Sequence, residues 1–170
     1  MATITDGELL LVSKATQEKL RDFSQGVQLF SRSGKSIKEL QARVAKDRLR
    51  LANIHLNQAL AASKVASPLH RTTISRAYYA MYHAARAATY LSFGGDDHEQ
   101  HSVLPTKLPT DFPECDEWKN RLKEARLERN RADYDPYPGG DAEFKDSATR
   151  LVREARSFIK ATRTYLLSKS

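Results

Sequence analysis

Apolar residues recur every three or four positions along most of this chain, a period that predicts helices almost throughout and no convincing strand. Between about Lys14 and Phe30, Leu20, Phe23, Val27 and Phe30 fall at helical intervals; Gly26 interrupts the run and Ser33-Gly34 ends it. A longer helix opens at Ser36-Ile37-Lys38-Glu39, where the Ser hydroxyl and the Glu carboxylate can satisfy orphan amides as a capping box. Its stripe of Ile37, Leu40, Val44, Leu51, Ile54, Ala62 and Val65 has Leu49, Leu56 and Leu60 beside it, wide enough to meet two neighbours.

Pro68 breaks that helix. The next runs from about Arg71 to Phe93 with Ile74, Ala77, Met81, Ala84, Ala88 and Leu91 inward, and its alanines allow close approach, as suits a central helix. Gly94-Gly95 stops it, and a loop holding Pro105, Pro109 and Pro113 follows, long enough to suggest a functional or partly ordered segment. A helix from about Glu114 to Asp133 shows Trp118, Leu122 and Ala125 on one face. After Asp135-Pro136-Tyr137-Pro138-Gly139-Gly140, a last helix spaces Phe144, Ala148, Leu151, Ala155, Phe158, Thr162 and Tyr165. The expected fold is all-α: an antiparallel up-and-down four-helix bundle over residues 36–170, with residues 1–35 as an N-terminal extension carrying one extra helix.

Composition adds three constraints. The 170 residues suit one compact bundle able to bury roughly 70% of its unfolded surface. A net charge of +7 favours a polyanionic partner or an acidic protein. Cys115 is the lone cysteine, Met1 to Gly7 has neither a basic stretch nor an apolar core, and no apolar run could span a bilayer. The expectation is a cytoplasmic protein with no membrane partner.

The candidate chemistry sits on two helices. The fourth predicted helix of the chain carries Lys119, Arg121, Lys123, Arg126, Arg129 and Arg131 against Glu124 and Glu128. Such like-charge density costs helix stability unless something neutralises it, which points to a phosphate backbone held by Arg121, Arg126 and Arg131; the plain alternative is a solvated face. At its end Arg129-Asn130-Arg131-Ala132-Asp133-Tyr134 sets fixed cations, an amide, a carboxylate and a phenol side by side. Such a set can hold and orient a phosphodiester, although an Arg–Asp pair closing the bundle would read the same way. In the central helix, Ser75, Tyr79, Tyr82 and Arg86 share a face, with Arg76 and His83 adjoining; Arg76, Tyr79 and His83 join the candidate nucleic-acid contacts. A tyrosine stripe is equally at home in a core or a dimer contact.

His98 and His101 in one loop, without cysteines or a second pair, make a poor metal site and read as ordinary loop residues. Cys115 has no catalytic surroundings in the sequence, and no Gly-rich phosphate loop exists, so neither cofactor nor metal is expected.

Ser75-Arg76-Ala77-Tyr78-Tyr79-Ala80, His83 to Ala87, His101, and Arg129 through Ala132-Asp133-Tyr134 together resemble the HEPN family (higher eukaryotes and prokaryotes nucleotide-binding domains) from about Asp47 to Leu166. The resemblance implies a four-helix bundle that dimerises around a cleft, and for many members a metal-independent ribonuclease. Their motif is an Arg that steadies the scissile phosphate, a polar residue, and a His that assists attack by the ribose 2′-hydroxyl. Arg129 and Asn130 fit the first two positions, while Tyr134, Asp135 and Pro136 stand where the His should fall. A free tyrosine is ionised to only about one part in a thousand at pH 7, which makes it a poor base but a usable acid. Arg129, Asn130 and Tyr134 are therefore the candidate catalytic set. Two readings follow: an RNA-cleaving toxin or defence effector, or a catalytically silent module that binds RNA, nucleotide or a partner. The resemblance implies a homodimer and a nucleotidyltransferase or antitoxin as partner.

Overall fold

A computed structural model describes residues 4–169, which fall into two compact units, Met1–Leu40 and Gln41–Ser170. The first holds two helices where the apolar pattern showed one: α1 (Asp6–Ser13) and α2 (Gln17–Ser33). The apolar residues of α1 are the unbroken run Leu9 to Val12, which has no helical period to detect; its start is instead marked by a capping box. Thr5 Oγ1 accepts from the Glu8 amide at 3.3 Å and the Glu8 carboxylate accepts from the Thr5 amide at 2.7 Å. Thr16 caps α2, and Gly34 ends it with a left-handed φ of 66° that most side chains avoid. Neither helix buries a residue, and Leu20, Phe23, Val27 and Phe30 line an exposed face of α2.

The expected capping box starts α3 (Ile37–Lys64): the Glu39 amide donates to Ser36 Oγ at 3.2 Å, and the Ser36 amide donates to the Glu39 carboxylate at 2.8 Å. Most of α3 belongs to the second unit, which starts at Gln41. With α4 (His70–Ser92), α5 (Cys115–Tyr134) and α6 (Lys145–Ser168) it forms the expected all-α up-and-down four-helix bundle, without a strand among the described residues.

The central helix is α4, packed against both α5 and α6. Ala77, Ala80, Ala84, Ala85, Ala87 and Ala88 are fully buried, so neighbouring helices come close to its backbone on several sides. Ala45, Leu49, Ala52, Leu56 and Ala59 form the buried stripe of α3. At the other end Phe158 lies 4.9 Å from Trp118 and 5.5 Å from Phe112, ring to ring. The loop over residues 93–114 is well anchored. Leu104, Leu108 and Phe112 are buried, and Tyr165 donates to Asp111 at 2.9 Å.

One knot fixes the end of α5 that carries the candidate motif. Arg71, in the first turn of α4, donates to the carbonyls of Ala132 at 2.9 Å, Asp135 at 2.8 Å and Pro138 at 2.6 Å. Its guanidinium lies 4.2 Å from the Phe144 ring centroid. Leu69 offers no side-chain cap to α4; Asp141 serves instead, accepting from the His70 and Arg71 amides at 2.7 and 3.0 Å.

Candidate functional site

Helical spacing brings Tyr78, Tyr79, Tyr82 and Arg86 of α4 against α5 and the loop, with His83 beside them toward His55 of α3. Arg129 donates from Nη2 to the Tyr79 hydroxyl at 2.8 Å, donates from Nη1 to the Asn130 side-chain oxygen at 3.2 Å and pairs with Asp133 at 2.7 Å. Its guanidinium carbon is 5.3 Å from the Tyr79 ring and 5.1 Å from the Tyr134 ring, so two phenols flank one cation. Tyr134 itself is 68% exposed, open to a ligand. Ser75 Oγ donates to Asp133 at 3.3 Å, which ties the carboxylate to α4.

The remaining candidates divide. Arg126, one turn before Arg129 on the same face, is half-buried, forms no ion pair among the described residues and leaves its buried Nε without a partner. Arg121 pairs with Glu117 and lies 5.0 Å from the Trp118 ring, and Arg131 stands 5.3 Å from the Phe144 ring; neither contact joins the cluster. Lys119 pairs with Asp116 at 3.1 Å, so the basic face of α5 is partly self-neutralised toward its start. Arg76 is near enough to His55 to affect its titration.

Two further histidines join the cluster: His101, which the family resemblance includes, and His55, which the chain pattern did not mark. His101 swings from the loop to stack on Tyr82, with ring centroids 4.2 Å apart, and its Nδ1 lies 2.6 Å from the Tyr78 hydroxyl. It is no ordinary loop residue; His98, by contrast, pairs with Asp96 at 3.3 Å and meets Phe93 edge-on. His55 of α3 stacks on His83 at 5.1 Å with nearly parallel rings. The length of the loop and its place in the family resemblance were the available signals for His101; a lone His among the leucines and alanines of α3 offered none. No group of three or more His, Cys, Asp or Glu side chains among the described residues is placed to hold a metal ion.

A family model for the HEPN domain matches residues 43–165, which take in α4, α5, the loop and nearly all of α6. The chain belongs to the HEPN family. No curated protein and no solved structure matches it. Family membership assigns a nucleotide- or RNA-related role in general terms.

The electrostatics of this HEPN cleft keep its imidazoles neutral. Burial, then the charges of Arg129, Arg126 and Arg86, holds His101 below the ordinary 6.5. Burial and the neighbouring His55, Arg86, Arg48 and His101 push His83 down to about 4. Burial and Arg76 lower His55, against a hydrogen bond with Gln58 that favours the protonated ring. Burial raises Tyr78 and Tyr82, so both phenols keep their protons. For Arg129, burial works against the charge, but Tyr79, Asp133 and Tyr134 outweigh it and hold the guanidinium charged. Arg86 donates to Asp97 at 2.6 Å and Arg48 also pairs with that carboxylate, so the third cation near the cleft is neutralised where Arg126 is not. Among the described residues, no helix is long and apolar enough to cross a membrane.

Proposed function

We propose that this protein binds RNA at the α4–α5 cleft and cleaves its backbone as an endoribonuclease. The observation that supports this most is the fixed Arg129 guanidinium, flanked by Tyr79 and Tyr134 with the unpaired Arg126 one turn away. Such cations meet the non-bridging oxygens of a phosphodiester and stabilise the charge that builds on them during attack. In this reading Asn130 orients the guanidinium, and Tyr134, exposed beside it, serves as the proton donor to the leaving 5′-oxygen, a task that suits a phenol better than a base's. The nucleophile is the ribose 2′-hydroxyl, so the products carry 2′,3′-cyclic phosphate ends. A toxin or defence role fits such an activity.

The homodimer implied by the resemblance would set two such clefts about a two-fold axis, which light scattering reads directly. The test of function is labelled RNA incubated with purified protein, with and without EDTA. Cleavage should persist in EDTA, because the nucleophile belongs to the substrate. Arg129→Ala should slow it at least a hundredfold while the melting curve stays cooperative.

A second reading has its own observation. Asp133 already neutralises Arg129 at 2.7 Å, and Tyr134 stands where the motif His would be, as in a module that binds RNA or a partner without cutting. RNA retention without cleavage, by a protein that Tyr134→His then activates, would establish that reading instead.

A further inference from the structure

We infer that His101, outside the Arg129–Tyr134 motif, is the group that takes the 2′-hydroxyl proton, with Tyr78 as its positioning residue. The inference rests on the endoribonuclease reading of the cleft. It stands first on geometry. The His101 ring is held on three sides: stacked on Tyr82 at 4.2 Å, hydrogen-bonded through Nδ1 to Tyr78 at 2.6 Å, and edge-on to Tyr79 at 6.1 Å. Tyr79 is the residue whose hydroxyl holds Arg129, so one phenol ring neighbours both the imidazole and the guanidinium assigned to the phosphate. A ribose and its 3′-phosphate present the 2′-oxygen beside the phosphorus, which matches a base set beside a phosphate clamp. Among the described residues Nε2 has no hydrogen-bond partner, and it is not buried.

The other imidazoles are poorer bases. His83 lies face to face with His55, and both have a buried Nδ1 without a partner. His101 is faced by Tyr78, Tyr79, Tyr82 and Arg86 from α4, by Arg126 and Arg129 from α5, and has Glu99 in its own loop. Burial and the arginines keep its ring neutral at pH 7, the form a base needs.

The step balances as follows. With Nδ1–H donated to the Tyr78 oxygen, the Nε2 lone pair accepts the proton of the 2′-hydroxyl. The 2′-oxygen bonds to phosphorus as the bond from phosphorus to the 5′-oxygen breaks, and the leaving oxygen takes the Tyr134 proton. Water then restores both groups. Tyr78 keeps its own proton, being raised by burial, so it holds the imidazolium by accepting from Nδ1–H.

The experiment compares wild type, Arg129→Ala, His101→Gln, His101→Ala and Tyr78→Phe on a short labelled RNA, reading kcat, RNA affinity and the pH profile. His101→Gln should lower kcat by about a hundredfold or more with affinity within about threefold of wild type. It should also lose the acidic limb of the kcat/KM profile. Free imidazole should restore part of the His101→Ala rate, a result that a folding defect would not give. Tyr78→Phe should lower kcat and shift that limb while leaving RNA affinity unchanged. If wild type cleaves and Arg129→Ala does not, but His101→Gln retains a near-wild-type rate or an unchanged acidic limb, His101 is not the base. If wild type leaves RNA intact, the endoribonuclease reading falls and takes this inference with it.

Discussion

Replacing Arg71 by Ala should unfold the junction that sets the motif end of α5. Three donated hydrogen bonds and the stacking on Phe144 are lost together. Hydrogen bonds from a charged donor contribute about 1.5–3 kcal/mol each, and the cation–ring contact about 0.5–1 kcal/mol. The Asp135 carbonyl is exposed and those of Ala132 and Pro138 are part-buried, so water replaces some of what is lost and the net cost is about 3 kcal/mol. For a chain of this size each kcal/mol moves the melting midpoint by about 2–4 °C, a fall of about 6–12 °C in all. Circular dichroism melts of wild type, Arg71→Ala and Arg71→Lys measure it. The Lys variant keeps the charge but cannot reach three carbonyls from one fork, so it should recover less than half of the loss. RNA cleavage should fall as well, although Arg71 is placed on the backbone and not on the cluster. A melting midpoint for Arg71→Ala within about 2 °C of wild type would refute the reasoning, because fully formed bonds of this kind cannot be that weak.

Two further outcomes separate the cleft from the rest of the surface. Arg126→Ala should weaken RNA binding and lower the slope of log affinity against log salt by about one, whereas Arg121→Ala, already paired with Glu117, should leave the slope nearly unchanged; equal slopes for both would remove the distinction. Acid stability should carry the mark of His83, whose pKa falls from 6.5 in the unfolded chain to about 4 in the fold. A lowered folded pKa means the unfolded chain binds the proton first, so stability is full above pH 6.5 and is lost as pH falls toward 4. Partial exposure of the ring screens the full ~3 kcal/mol to about 1–2 kcal/mol. Melts of His83→Phe should therefore fall less steeply than wild type across that window; parallel curves would contradict it.

How far the chain announced this structure depends on the residue. The capping box at Ser36 and Glu39, the glycine stops and the alanine-rich central helix all follow from local rules, and each is present. Arg129, Asn130 and Tyr134 also meet as helical spacing requires, because neighbours on one helix end are close whatever the tertiary fold. Legibility fails where partners are distant in sequence. Asp141 capping α4, Arg71 gripping the end of α5, and His101 reaching Tyr78 join residues 23 to 71 positions apart, and no periodicity encodes such pairings. The first helix was hidden for a different reason: its leucines are consecutive, so it has a cap but no stripe.

The loop that delivers His101 and the helix that carries Tyr79 are held by different means, and this has a kinetic consequence. Amides in the middle of α4, wrapped by buried alanines, can exchange with solvent only when the bundle opens as a whole. The loop is pinned at separate points, Asp97 before His101 and Leu104, Leu108 and Phe112 after it, so the stretches between them can open without the whole bundle. Its amides should exchange orders of magnitude faster than those of α4. The cleft thus has one wall of continuous helix and one wall of pinned loop, and an exchange experiment should separate the two.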